Sequence, residues 1–284
     1  MKEIQDHIRG TLKNLYAAEE TESLMRIILE HVCRKPYSRI LIDGIHPFSP
    51  QQQEQIHRIV DRLLLAEPIQ YVLGEAFFYN HTFRVDNHTL IPRPETEELV
   101  GLILSDYTAK KECRILDVGT GSGCIALSLA KHLPQAQVVA LDISAGALEV
   151  ARENARLLDV GNVSFVLADI LAACDWPTLL GGAFDCMVSN PPYILMEEQA
   201  AMDRNVLDYE PAGALFVPDD DPLLFYRAIA ALGRALIRPG GGLYFEINAR
   251  YGPELVALLK QMDYQEIELI RDLAGKDRII KAKR

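Results

Sequence analysis

Long apolar runs are missing from this chain of 284 residues. No stretch reaches the roughly 18 uninterrupted apolar residues that a membrane-crossing helix needs, so no transmembrane segment is expected. The opening residues Met1-Lys2-Glu3-Ile4-Gln5-Asp6 include acidic groups and lack an apolar signal-peptide core. Export is therefore not expected, and a cytoplasmic location is. Cysteine pairing is missing too. Cys33, Cys113, Cys124, Cys174 and Cys186 are scattered, with no Cys-x-x-Cys pair. An odd, unpatterned set reads as reduced thiols and excludes a disulfide framework or a zinc knuckle. The seven histidines are equally dispersed, and no metal is expected. Basic excess is absent as well: the formal net charge is −11. Residues 1–92 carry 10 Lys and Arg against 12 Asp and Glu, the remainder 19 against 28. Proteins that grip nucleic acid neutralise phosphates with a basic surface, so direct nucleic-acid binding is not expected.

What is present divides into three parts. Residues 1–75 read as short helices. Ile4, Ile8, Leu12 and Leu15 recur at helical spacing, as do Leu24, Ile27 and Ile28, and later Ile56, Ile59, Val60, Leu63 and Leu64. Ser49-Pro50 is a helix start, Ser as N-cap and Pro at the first helical position, and Pro68 marks the end. Residues 76–92 suggest a linking β-hairpin: strand Thr82–Val85, turn Asp86–His88, strand Thr89–Ile91. From residue 93 to 284 strands alternate with helices. Candidate strands are Arg114–Val118, Gln137–Asp142, Val163–Leu167, Phe184–Ser189 and Gly242–Ile247, with amphipathic helices around 124–133, 145–158 and 223–237. Glu266–Arg271 and Arg278–Ala282 add a terminal antiparallel pair. The fold class expected is α/β: a doubly wound, mostly parallel seven-stranded sheet behind a small helical bundle.

Two motifs on that sheet carry chemistry. Asp117-Val118-Gly119-Thr120-Gly121-Ser122-Gly123 follows a strand and opens a helix. Its glycines let the backbone turn sharply and a ligand approach closely. A dinucleotide fingerprint would need its third glycine where Cys124 stands, so a nicotinamide-dependent dehydrogenase is disfavoured. S-adenosylmethionine has no phosphate and suits the tighter loop. Asp142, 19 residues past Gly123 at the next strand end, can accept both ribose hydroxyls. Asp169-Ile170, after the third strand, can receive the adenine amino group, although Asp169 equally suits a helix cap. Asp117 suits either support of the loop or the neighbourhood of the donor's amino group.

The second motif is Asn190-Pro191-Pro192-Tyr193, ending an apolar run. The Asn190 oxygen can accept from an NH2 group. The prolines restrict their neighbours and fix a carbonyl, that of Pro191, for a second acceptor role. Tyr193 offers an aromatic face to a flat group. Alone, the stretch could be a Pro-Pro turn. Combined with the glycine loop and the carboxylates, it points to methyl transfer onto a planar nitrogen. Amide and nucleobase amines both remain open acceptors at this level, and an inactive binding module is a third reading.

A broader set of motifs resembles the peptide-chain release factor N(5)-glutamine methyltransferase family, in its bacterial two-domain form. They are Gln70–Tyr79, Leu90-Ile91-Pro92-Arg93-Pro94-Glu95-Thr96-Glu97, Asn190–Tyr193, Tyr209-Glu210-Pro211, Phe225-Tyr226-Arg227 and Asp272–Arg278. The chain departs at Val217–Pro222, where family members more often carry a glycine-containing turn. The resemblance implies a Rossmann-like methyltransferase domain, S-adenosylmethionine as donor, and the glutamine of a Gly-Gly-Gln loop on class I release factors as acceptor. It also implies that the N-terminal bundle helps to recognise that protein. Arg93–Glu97 would lie against the donor pocket, and Phe77 or Phe78 would line the substrate entrance. A nucleic-acid adenine N6 or guanine N2 methyltransferase is the alternative.

Overall fold

A computed structural model describes residues 2–42, 48–110 and 112–284; Met1, residues 43–47 and Lys111 lie outside the described part. The chain forms two compact units. The first comprises the residues up to Gly74 together with a later stretch, Asp203–Tyr209. Its helices Lys2–Leu12, Ala18–Cys33 and Pro50–Leu63 are amphipathic. Each turns one apolar stripe inward, so Ile8, Leu12, Met25, Ile28, Leu29, Ile56 and Val60 make a common core. The helix at Pro50 starts as the sequence requires. The Ser49 hydroxyl accepts from the Gln52 N–H at 3.2 Å while the Gln52 side chain accepts from the Ser49 N–H at 3.0 Å, a capping box. Within this unit the Tyr209 hydroxyl, on the helix Arg204–Tyr209, donates to the carbonyl of Leu65 at 2.8 Å.

The second unit begins at Glu75. Strands β1 (Glu75–Phe78) and β2 (His81–Arg84) form an antiparallel hairpin in which Phe78 faces His81. This corrects the expected hairpin, which had strands at 82–85 and 89–91. The turn lies at Tyr79-Asn80, whose φ values of 46° and 63° supply the left-handed pair that a two-residue hairpin needs. Asp86 instead closes a local turn, its carboxylate accepting from the His88 N–H at 2.9 Å. No third strand is required, because the buried Asn154 side chain satisfies both the N–H and the carbonyl of Arg84, at 2.6 and 2.9 Å.

The remaining strands are β3 (Arg114–Val118), β4 (Gln137–Asp142), β5 (Val163–Leu167), β6 (Phe184–Ser189), the two-residue β7 (Ile194–Leu195) and β8 (Phe216–Val217), β9 (Ile237–Glu246), β10 (Gln265–Arg271) and β11 (Asp277–Lys283). A seven-stranded sheet runs in the order β10-β11-β9-β6-β3-β4-β5. Strands β3, β4, β5, β6 and β9 are parallel, and β11 is antiparallel to both of its neighbours. Successive side chains in a strand point to opposite faces. Ile115, Val138, Ala140, Cys186 and Val188 therefore join one core layer with Leu99, Ile103, Ile125 and Leu129 of the helices Pro94–Tyr107 and Cys124–His132. Leu116, Val139, Leu141, Met187 and Phe245 join the other with Tyr226, Ile229 and Leu255 of the helices Leu224–Leu236 and Gly252–Gln261. Burial on both faces explains why these strands read as continuous apolar runs.

The chain leaves β3 towards β4 and β5 on one side, then returns to place β6 on the other. Such a reversal opens a crevice at the carboxyl ends of the strands, where ligands bind in open α/β sheets. None of the described helices is long and apolar enough to cross a membrane.

Candidate active site

The registers of the sheet gather the motif residues along that crevice. Val118 pairs with Leu141 on one side and Ser189 on the other, and Ser189 pairs with Phe245. One residue further on, Asp142, Gly119, Asn190 and Glu246 stand in a row across four neighbouring strands.

In the glycine loop, Gly119 and Thr120 both donate their N–H to the carbonyl of Leu141, at 2.8 and 3.0 Å. Gly119, Gly121 and Gly123 have φ values of 74°, 55° and 83°, where a side chain would be strained. A Cβ on Gly119 or Gly121 would meet nothing within 4 Å, so the loop keeps open space above its backbone. Gly123 differs: a Cβ there would lie 3.0 Å from Leu127 Cδ1 and 3.2 Å from the Ala151 methyl, so its glycine serves helix packing. Asp117 is fully buried, and Thr120 donates its hydroxyl to Oδ2 at 2.6 Å. Burial pushes the Asp117 carboxyl up to about 7, against the opposing pull of the Thr120 hydrogen bond. Ser122 is buried, its carbonyl accepting from Asn154 Nδ2 at 2.9 Å. Asn154 thus ties the hairpin to the glycine loop.

Asp142 accepts from the Gly121 N–H at 2.8 Å through Oδ2 and from the Ser144 N–H at 2.9 Å through Oδ1. Each carboxylate oxygen keeps a second acceptor position, so the orientation is fixed while the capacity for a diol remains. Burial raises its pKa, and these backbone bonds oppose the rise. Asp169 and Ile170 follow β5 and are half-buried. Asp169 spends one oxygen on the Leu171 N–H at 2.8 Å, closing a local turn; it caps no helix, since the next one begins at Trp176 with Asp175 as its N-cap. An open glycine cradle beside an oriented carboxylate fits the ribose and amino-acid tail of S-adenosylmethionine.

Asn190 lies just past β6. Its Nδ2 donates to Thr96 Oγ1 at 3.3 Å, and its Oδ1 has no hydrogen-bond partner among the described residues. Thr96 donates to Glu246 Oε2 at 2.6 Å, and Tyr193 donates its hydroxyl to Glu246 Oε1 at 3.0 Å. The Tyr193 carbonyl accepts from Asn248 Nδ2 at 3.2 Å. Pro191 is buried and Pro192 half-buried. Glu246 is 1% exposed, and burial raises its pKa while Thr96, Tyr193 and Arg278 oppose the rise. Sequence reading passed over Glu246; a single acid ending the apolar strand Leu243–Phe245 was the available signal. The resemblance sets Thr96, within Arg93–Glu97, against the donor pocket; its side chain reaches this cluster through Glu246.

The blocks that carry the resemblance meet here as well. Arg93 Nη2 lies 2.6 Å from Oε1 of buried Glu210, whose Oε2 accepts the Ile91 N–H at 3.1 Å. Arg278 Nε lies 3.1 Å from Asp272 Oδ2. Phe78 is a correction. It is fully buried, packed edge-on against Phe83 with centroids 6.0 Å apart, so it serves the core and not an entrance. The strand alternation turns its neighbour Phe77 outward, 69% exposed.

A mostly parallel sheet with this crevice, glycine loop and Asn-Pro-Pro-Tyr ending defines an S-adenosylmethionine-dependent methyltransferase. Residues 109–224 match the family described as a methyltransferase domain, and residues 3–74 match the PrmC N-terminal domain. The chain is 45% identical over 284 residues, all of both chains, to a release factor glutamine methyltransferase of Bacteroides thetaiotaomicron. A second, from Flavobacterium psychrophilum, is 42% identical over 273 residues, 95% of this chain and 94% of its own. The chain belongs to the release factor glutamine methyltransferase family. Among solved structures, a methyltransferase from Pyrococcus furiosus shares the fold with a TM-score of 0.53 at 17% identity, over 78% of this chain and 96% of its own.

Proposed function

We propose that the chain methylates the side-chain amide nitrogen of the glutamine in the Gly-Gly-Gln loop of class I peptide-chain release factors. The observation that carries this reading is the state of Asn190. Its Nδ2 is tied down and its Oδ1 is left without a partner, one strand from the open loop at Gly119. An amide nitrogen is a poor nucleophile because its lone pair is delocalised into the carbonyl. Asn190 Oδ1 and the Pro191 carbonyl accept its two N–H bonds, aim the nitrogen and favour the positive charge that develops on it. Holding the reacting atoms at about 3–3.5 Å supplies much of the acceleration. When bound, S-adenosylmethionine supplies a methyl group carried on a positively charged sulfur. Gly119, Thr120, Gly121, Ser122 and Asp142 hold that donor, with Asp117, Asp169 and Ile170 bordering it. A C–N bond forms as the methyl leaves sulfur, and the nitrogen then sheds one proton to water. Tyr193, anchored through its hydroxyl and carbonyl, presents its ring to the amide plane beside Pro192.

The full-length similarity to named relatives supports the choice of a protein glutamine as acceptor. The deciding experiment incubates the enzyme and labelled donor with a purified release factor or with nucleic acid, followed by mass spectrometry of the products. One added methyl on the loop glutamine is expected. Label in nucleic acid alone would overturn the choice of acceptor.

A further inference from the structure

We propose that Thr96 and Glu246 are positioning residues that lock the Asn190 amide with its oxygen towards the acceptor, and that a proton on Glu246 releases the lock. This rests on the methyl-transfer reading above and adds the device that makes Asn190 an acceptor and not a donor.

An asparagine amide presents an oxygen and an NH2 of nearly the same shape, and a site for an incoming NH2 group works only with the oxygen forward. The surroundings impose that choice. A threonine hydroxyl has one hydrogen to give. At Thr96 it points to Glu246 Oε2 at 2.6 Å, so towards Asn190 the same oxygen can only accept. Only Nδ2 can answer it, at 3.3 Å, and Oδ1 is left facing away from the pair. The direction of the Thr96 hydrogen depends in turn on Glu246. Its second oxygen, Oε1, accepts from the Tyr193 hydroxyl at 3.0 Å. Two accepted hydrogen bonds, one on each oxygen, suit a proton-free carboxylate.

The groups facing Glu246 come from every neighbouring element. Tyr193 follows β6, and Arg278 stands on β11 next to Ile279, the residue paired with Glu246. Glu95 lies in the first turn of the Pro94–Tyr107 helix, Cys124 opens the following helix, and Tyr226 donates its hydroxyl to the Glu246 carbonyl at 3.1 Å. Arg278 favours the charged form, while Glu95 and burial oppose it. The lock therefore opens above the ordinary carboxylate range. A protonated Glu246 donates to Thr96 Oγ1, the Thr96 hydrogen turns to Asn190, and the amide inverts. Nδ2 then meets the NH2 of the acceptor, donor against donor, and transfer stops.

The test compares wild type with Thr96→Val, Thr96→Ser and Glu246→Gln, using a purified release factor as acceptor. Thr96→Val should lower kcat about tenfold or more, the scale of one lost orienting hydrogen bond, with donor affinity within about threefold. Thr96→Ser should restore most of that loss. The wild-type kcat should fall as pH drops through the Glu246 ionisation, and Glu246→Gln should be flat over the same range. The side-chain 15N amide resonance of Asn190, read in the enzyme without acceptor, should shift in Thr96→Val and titrate with acid in wild type only. If Thr96→Val turns over at the wild-type rate and the Asn190 resonance stays in place, the positioning role is wrong. An acid limb that persists in Glu246→Gln overturns the proton release. Should wild type methylate no release factor, the acceptor assignment fails, and the Asn190 resonance still decides whether the lock exists.

Discussion

Arg93 places its guanidinium 2.6 Å from the carboxylate of Glu210 and so joins two motifs that lie 117 residues apart in the chain. The Glu210 side chain is 1% exposed and that of Arg93 33%. This ion pair is thus half in water on one side only. Removing one member of such a pair leaves the other charge buried, which is costlier than the pair itself was worth. Arg93→Ala should destabilise the protein by about 2–3 kcal/mol, read as a lower urea midpoint. Glu210→Gln, which keeps an oxygen for the Ile91 N–H, should lose less.

Replacing Asn190 separates acceptor chemistry from donor binding. Asn190→Ala should reduce kcat by about a hundredfold or more, the range seen when a preorganised polar group is removed from a developing charge. Binding of S-adenosylmethionine, followed by calorimetry, should stay within a few-fold. A variant that keeps its turnover would show that the amide oxygen does not receive the substrate.

At Asp142 the expected pattern is the reverse. Its carboxylate is aimed by the Gly121 and Ser144 N–H groups and is the proposed acceptor for the ribose hydroxyls. Asp142→Ala should raise the donor dissociation constant by at least about tenfold, the loss of one charge-assisted hydrogen bond. Unchanged donor binding would remove Asp142 from the site.

Asp117 gives the fold itself a pH dependence. Its folded pKa, about 7, lies above the 3.8 of a free aspartate. The folded state therefore holds the proton more tightly, and this contribution to stability is present below pH 4 and lost as pH rises towards 7. Other carboxylates pull the opposite way; Asp185 and Asp272 have lowered values. The comparison that isolates Asp117 is with Asp117→Asn. Relative to wild type, that variant should gain up to about 4 kcal/mol between pH 4 and pH 8, measured by chemical denaturation at each pH. A constant difference would mean that Asp117 is charged throughout.

Much of the sheet was legible because parallel strands buried on both faces leave a simple trace. Strands β3, β4 and β6 follow runs that are apolar and buried over most of their length, and the edge strand β5 keeps the same bounds although it is only half-buried. Ser49 declared its helix through a local cap, and local signals of this kind need no knowledge of the fold. The hairpin was misplaced for the opposite reason. Thr82 to Ile91 alternates like two strands, but Arg84 is satisfied by Asn154, 70 residues away, and no periodicity reports that. Phe77 and Phe78 look alike in sequence, and only the pairing register decides which is buried. The part Thr96 plays beside Glu246 leaves no trace in the sequence because it lies in a contact across 150 residues.

The first unit is not written in one piece: residues up to Gly74 pack with Asp203–Tyr209, whose Tyr209 hydroxyl reaches Leu65. A graft of the N-terminal helices from a relative would carry a foreign seam unless residues 203–209 travelled with it. Exchange of the first unit between members of the family thus needs three junctions, after Gly74, after Met202 and after Tyr209, and the second of them falls only nine residues after Tyr193.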